Sequence, residues 1–291
     1  MIKEKAITPA TLQEHQSALK KLLEEFDRVC KKLNIPYILF AGTMLGAVRH
    51  QGFIPWDDDL DVLMLRKDYE FFLQHADEVL EKETFSLQKE FTEHWPMFFS
   101  KLRLNETTCL EKYHPKDFET HHGVYIDIFP CDNAAKTSFA RKIQFFASKV
   151  VIAKSLKKRG YETRSSLKKV FMKVCSFLPT SLFRKLATHG KENSKLVHSF
   201  FAAAKDFSKN VYPREFVTER VNLSFEGGSY PVSKEYDQLL NLLYGDYMVL
   251  PPQEEREDKK HVVLVDLTKP YEYYREYHEN LDFDVLTKSI R

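Results

Sequence analysis

Apolar and polar positions follow two rhythms along this chain, and the switches between them mark out its elements. Leu12, Leu19, Leu22, Leu23, Phe26, Val29, Cys30 and Leu33 recur at helical spacing, which predicts a long helix with one buried face. Thr8-Pro9 is its expected start, Thr8 as N-cap and Pro9 in the first turn, and Asn34-Ile35-Pro36 its stop. Tyr37-Ile38-Leu39-Phe40-Ala41 is a short apolar run, the pattern of a buried strand. Gly42-Thr43 then reads as a turn into a short helix ending at Arg49. The stretch Asp59-Leu60-Asp61-Val62-Leu63-Met64-Leu65 begins by alternating acid with apolar residue and ends wholly apolar, as a strand entering a core does. A helix over 67–81 should follow, with Tyr69, Phe72, Leu73, Ala76 and Leu80 inward. Short strands are expected at 84–89, 97–104 and 107–111. A stronger one runs over Gly123–Pro130, where β-branched and aromatic residues lead to a proline that should end it.

The character changes after Asp132. Between Lys136 and Lys195 stand 16 Lys or Arg and 2 acids, Glu162 and Glu192, among bulky residues such as Phe139, Ile143, Phe146, Phe171 and Phe177. Basic helices carrying large apolar residues suit an anionic membrane surface; the plainer alternative is a helical subdomain with a solvated basic face. A net charge of +2 and the lack of any recognisable binding module argue against a nucleic-acid partner. The last third predicts a hairpin over Arg220–Val232 around Gly227-Gly228, then a helix over Lys234–Leu243. The resulting division is a core at 1–135, a basic helical insert at 136–210 and a C-terminal part at 211–291 that completes the core.

Four scattered cysteines without a C-x-x-C pair argue against a zinc ribbon or redox dithiol and suit buried, reduced thiols, and no motif supports a nucleophilic one. The charged N-terminus does not resemble a signal peptide, and no apolar run approaches the roughly 18 residues a membrane span needs. The expectation is a cytoplasmic protein, peripheral on the inner face of the membrane.

Asp57, Asp58, Asp59 and Asp61 place four carboxylates within five positions. Like charges so close repel, and a divalent cation relieves them most cheaply. Mg²⁺, or Mn²⁺ in its place, prefers such oxygens and is commonly completed by substrate phosphates, so the cluster points to metal-dependent phosphoryl transfer. Residues two apart on a strand share a face, which would aim Asp59 and Asp61 the same way. Asp57 joins them if the strand begins early, while Asp58 is expected to turn outward or to support the other acids from behind. Asp127 is the one acid in its apolar strand, and a lone buried acid is costly unless paired or bound to metal. It is the natural third carboxylate.

The run Gly42-Thr43-Met44-Leu45-Gly46-Ala47-Val48-Arg49-His50, leading to Phe53-Ile54-Pro55-Trp56-Asp57-Asp58-Asp59-Leu60-Asp61, resembles the signature of the LicD family. Lys101-Leu102-Arg103-Leu104, Tyr125-Ile126-Asp127-Ile128-Phe129-Pro130 and Tyr244-Gly245-Asp246-Tyr247 are similar to that family's further motifs. The resemblance implies an α/β (α+β) fold of nucleotidyltransferase type, a mixed sheet flanked by helices. In it Gly42-Thr43 would be the glycine turn and Asp59 and Asp61 the acidic pair. It also implies transfer of phosphocholine from CDP-choline to a sugar hydroxyl of a teichoic acid or surface glycan, with release of CMP; relatives of the fukutin type handle CDP-ribitol. A lipid-linked acceptor would give the basic insert its purpose.

For such a donor Gly42 allows close backbone approach, and the amides at the start of the Thr43 helix suit an anion. Arg49 can grip phosphate in bidentate fashion, and His50 can assist or merely pack. Lys101 and Arg103 share a strand face and are candidates for the second phosphate. Trp56, with Tyr125 or Tyr247, offers an aromatic face for the quaternary ammonium, or simply packs its loop. Two rivals stand beside this reading: a nucleotidyltransferase that releases pyrophosphate, and a noncatalytic membrane-surface protein whose acids hold a structural cation.

Overall fold

Thr11 opens the first helix. The computed structural model describes residues 9–111, 120–161, 163, 165–202, 206–257 and 261–277, and α1 occupies Leu12–Leu33. The Thr11 hydroxyl accepts from the Glu14 N–H, while the Glu14 carboxylate accepts from the Thr11 N–H at 2.7 Å. This reciprocal box needs an acid three positions after the cap. Thr8 has Thr11 there instead, which is why the start lies later than expected; Thr8 itself is outside the described residues. Thr11→Ala should cost about 1 kcal/mol in urea denaturation. The helix buries Leu19, Leu22, Leu23, Phe26, Val29 and Cys30, the face its periodicity announces.

After α1 come β1 (Ile38–Leu39), α2 (Ala41–His50), β2 (Asp61–Leu65), α3 (Arg66–His75), β3 (Phe85–Gln88), β4 (Ser100–Leu104) and β5 (Thr108–Glu111). Next are β6 (Tyr125–Asn133), α4 (Ser138–Lys158), α5 (Ser166–Ser176), α6 (Thr180–Thr188), β7 (Leu196–His198) and β8 (Val211–Pro213). The chain continues through α7 (Glu215–Thr218), β9 (Arg220–Phe225), β10 (Gly228–Ser233), α8 (Tyr236–Tyr244), α9 (Gln253–Glu257) and β11 (Val262–Asp266). The main sheet runs β1-β2-β6-β4-β3, with β7 and β8 continuing from the far end of β6. β2 and β6 are parallel and the other pairings antiparallel, so the fold is mixed α/β as expected. Two smaller pairs, β9 with β10 and β5 with β11, complete it.

Of the boundaries that differ from the sequence reading, three bear on the site, each for a local reason. Gly42-Thr43 is no turn: both residues lie inside α2, and the chain reverses one step earlier, at Ala41 with φ 47°. The acidic strand begins only at Asp61, because the Thr43 hydroxyl accepts the Asp61 N–H at 2.8 Å and fixes the strand's start there. Asp57 and Asp59 therefore stand on the preceding loop. β6 runs through Pro130 to Asn133. Pro130 sits where pairing with β4 has ended, at Ile128, and pairing with β7, from Asp132, has not begun. On that side its missing N–H forfeits no ladder bond.

Gly46 lets α2 pack directly on the following reversal, since a Cβ there would strike the Gly52 carbonyl oxygen. Gly46→Ala should therefore destabilise by about 1–3 kcal/mol, the usual cost of overpacking, seen as a lower urea midpoint. The β9–β10 hairpin is tied to the same reversal by Glu226, whose carboxylate accepts the Phe53 N–H at 3.0 Å. All four cysteines are buried free thiols. Among the described residues no helix is long and apolar enough to cross a membrane.

Candidate active site

The register of the central strands sets the geometry. Asp61 on β2 stands opposite Asp127 on β6, and Asp127 opposite Lys101 on β4. Residues in register on adjacent strands project from the same face, so the three side chains form a row across the sheet. Lys101 is buried, with its Nζ 3.1 Å from Asp127 Oδ1 and 3.1 Å from Glu111 Oε1. Asp61, at the other end of the row, feels Asp59, Asp127 and Asp57.

This imbalance shows in the proton affinities. Burial drives the Asp61 carboxyl well above the usual range, and repulsion from Asp59, Asp127 and Asp57 adds to it. Asp59 is pushed up to about 6, again by burial first, with Asp58 and Asp127 adding and His261 opposing. Asp127 is raised too, since burial outweighs the pull of Lys101. Glu111 goes the other way. Burial would raise it, yet Lys101, Arg159 and Arg103 together hold it well below the ordinary carboxylate range.

The loop that carries Asp57–Asp59 is clamped from two sides. Gln16 on α1 donates to the Asp57 carbonyl and His15 to the Asp58 carbonyl, each at 2.9 Å. Of the two places expected for Asp58, the structure shows the supporting one behind the other acids, not the outward turn. The side chain is buried, and its Oδ2 accepts the N–H groups of His261 and Val262 at 2.8 and 3.0 Å. Two backbone donors at the start of β11 make this inward pose favourable for a carboxylate. The clamp also brings His261 Nε2 to 3.6 Å from Asp59 Oδ2.

Over these acids opens a cleft of about 680 Å³. Gly42, Arg49, Trp56, Asp57, Asp59 and Asp61 line one part of it. Tyr244 at the end of α8, Tyr247 and Pro251 in the segment after it, and His261 line another part. Gly42 lets the Asp57 carboxylate come close, for a Cβ there would lie 2.9 Å from Asp57 Oδ2 and push that side chain aside. Arg49 donates through Nη1 to the Tyr247 carbonyl at 2.6 Å and through Nε to His50 Nε2 at 3.0 Å. Burial, then the neighbouring Arg256, lowers the Arg49 pKa. The Arg256 guanidinium lies 4.6 Å from the Trp56 ring centroid. The cleft thus sets an acidic floor near a pair of guanidinium groups.

Some expected site residues lie elsewhere. Thr43 is buried and serves the Asp61 backbone. His50 accepts from Arg49 and does not line the cleft. Lys101 and Arg103 are buried and do not belong to the cleft lining. Arg103 donates to the Gly123 carbonyl and to Gln88 Oε1, each at 2.7 Å, and the Tyr125 ring lies 3.1 Å from Lys101 Nζ. Asp127 stands behind Asp61, in contact with Lys101 and outside the lining. Among the described residues no three His, Cys, Asp or Glu side chains form a ready metal-binding group. His261, Arg256 and Glu111 were missed by sequence reasoning. The one available signal was for His261, a histidine downstream of Tyr244-Gly245-Asp246-Tyr247.

The sequence compares closely with known proteins. The family model described as LicD/FKTN/FKRP, nucleotidyltransferase domain, matches residues 34–153, which carry Asp57–Asp61 and Asp127. The lipopolysaccharide cholinephosphotransferase LicD of Haemophilus influenzae is 30% identical over 261 residues, covering 85% of this chain and 95% of that protein. Shorter matches, 46% identical over 57 residues and 47% over 51, join it to uncharacterised proteins of Rickettsia typhi and Rickettsia prowazekii. They cover 20% and 18% of this chain, and 18% and 19% of those proteins. A relative aligned over nearly its whole length carries more weight than these fragments, and on it the chain belongs to the LicD family.

Proposed function

We propose that the cleft transfers phosphocholine from CDP-choline to a sugar hydroxyl of a surface glycan, releasing CMP. The observation that carries this is the meeting of Asp57, Asp59 and Asp61 with Arg49 and Trp56 in one cleft. Support also comes from the likeness to a lipopolysaccharide cholinephosphotransferase over most of both chains.

The donor set suits a hard divalent cation, Mg²⁺ or Mn²⁺. Asp59, Asp61 and Asp57 offer only carboxylate oxygens, and burial together with mutual repulsion leaves the first two short of compensating charge. Mg²⁺ is usually held by one or two carboxylates plus substrate phosphates, so a closed protein cage is not required. When bound, such an ion neutralises the donor phosphates and the charge that grows on the departing CMP. Asp127 steadies the row from behind through Lys101.

Arg49 binds the donor's phosphate oxygens. The ring faces of Trp56, Tyr244 and Tyr247 receive the trimethylammonium group by cation–π attraction. The incoming sugar oxygen forms a bond to the choline-bearing phosphorus as the bond from phosphorus to the CMP oxygen breaks. The hydroxyl proton leaves to the carboxylates of the cleft. A teichoic acid is the acceptor that the sequence reading favours, and lipopolysaccharide is what the relative's name states.

The test is CMP release from a panel of CDP-alcohols, with Mg²⁺ and a phosphocholine-free glycan acceptor. Acceptor-dependent CMP from CDP-choline is the expected result. Release from a different CDP-alcohol alone would replace the donor. Pyrophosphate as the product would make the protein a nucleotidyltransferase.

A further inference from the structure

The three helices between β6 and β7 leave large apolar side chains in solvent. On α5 and its cap, Leu167, Val170, Phe171, Val174 and Phe177 follow one helical stripe, and all are exposed, Leu167 at 85% and Phe177 at 81%. On α4, Phe139, Ile143 and Phe146 form a second stripe, with Phe139 at 75%; Leu182 and Leu186 do the same on α6. These helices are not short of a core. α4 packs against both α5 and α6, and Val150, Ala153, Met172 and Cys175 form a buried cluster of their own. The stripes are therefore apolar surface beyond what the core needs, of the kind that marks an interaction site.

Charge identifies what covers it. The sequences of α4, α5 and α6 contain 11 Lys or Arg and no Asp or Glu. Lys142, Lys168, Lys169, Lys173 and Lys185 are exposed on these same helices. A second copy docking through this face would set two such acid-free surfaces against each other without a counter-charge. A nucleic acid would use the lysines but leave Leu167 and Phe177 in water. An interface of anionic headgroups over acyl chains satisfies both features at once. We propose that the outward face of α4–α6 docks on an anionic phospholipid bilayer.

The face is rigidly joined to the site. Arg159, capping the end of α4, pairs with Glu111 and stacks 4.6 Å from the Trp95 ring centroid, and Glu111 in turn holds Lys101 and Tyr125. Docking would thus fix how the cleft is presented to the membrane plane. This inference does not rest on the identity of the nucleotide donor.

The test is co-sedimentation of the full chain with vesicles of phosphatidylcholine alone or mixed with phosphatidylglycerol, without substrates. Wild type should bind the mixed vesicles and release from them as salt rises. The triple variant Phe139→Ser, Leu167→Ser and Phe177→Ser should bind at least about 100-fold more weakly, given what three buried large side chains contribute. Lys168→Glu with Lys169→Glu and Lys173→Glu should abolish the preference for the anionic lipid. Both variants should melt with wild type and turn over a soluble acceptor at the wild-type rate, because every changed residue is exposed and remote from the cleft. Lack of binding to the anionic vesicles at physiological salt would overturn the proposal. So would equal binding to phosphatidylcholine alone, or a concentration-dependent dimer that the triple variant loses.

Discussion

Asp61→Asn should fold as well as wild type and release CMP at least about 10³-fold more slowly, a loss of several kcal/mol of transition-state stabilisation. The amide keeps the side chain's size, and the bond from the Asp61 N–H to Thr43 involves only backbone on the Asp61 side, so the start of β2 survives. What disappears is the charge. Asp61 sits among Asp59, Asp127 and Asp57, each of which raises its proton affinity. Removing one member of a repelling set relieves the folded state, so the melting temperature should hold or rise in metal-free buffer. The two readouts thus move in different directions, which no general damage to the fold would produce. A folded Asp61→Asn protein within tenfold of wild-type turnover would remove this carboxylate from the reaction.

The largest loss of stability is expected from Lys101→Met. Its ammonium is 1% exposed and is shared by Asp127 and Glu111, each at 3.1 Å. Taking one partner from a buried ion pair strands the other, at a cost of about 3–5 kcal/mol in urea denaturation. Adding Asp127→Asn should return part of that loss, since Asp127 loses its ion-pair partner with Lys101 whereas Glu111 keeps Arg159. The pH dependence carries a definite sign. In wild type Glu111 is held well below its ordinary value, so its stabilisation is present above the unfolded carboxylate pKa of about 4.3 and disappears as pH falls through the native value. Without Lys101 the native value rises, and acid unfolding should begin at a higher pH. An unchanged acid transition would mean that Arg159 alone holds Glu111.

These two residues also mark how far the sequence could be read. The strand from Asp61 and the strand bearing Asp127 follow from apolar runs, and the alternation at Asp59–Val62 rightly suggests an acid at a strand's mouth. Periodicity could not tell that β2 and β6 are parallel, nor that their register sets Asp61 beside Asp127; register is decided by partners distant in sequence. The same-strand pairing of Asp59 with Asp61 failed because the Thr43 hydroxyl takes the Asp61 N–H and begins the strand there. Lys101 and Arg103 look like phosphate ligands when only their own strand is visible. Their neighbours Glu111 and Gly123, which engage those charges, belong to other segments. His261 and Arg256 were beyond reach for the same reason.

The bond from the His261 backbone to Asp58 joins residues 203 positions apart. During synthesis the acidic loop is therefore complete long before the segment that walls it in has left the ribosome. Contacts of such separation are slow to form and come late in folding. Until then Asp57, Asp59 and Asp61 are open to water and lack the wall formed by Tyr244, Tyr247 and His261. A half-made chain can hold its acids but cannot enclose a donor. The walled cleft should therefore form in a single late step, once the segment reaching Val262 is in place.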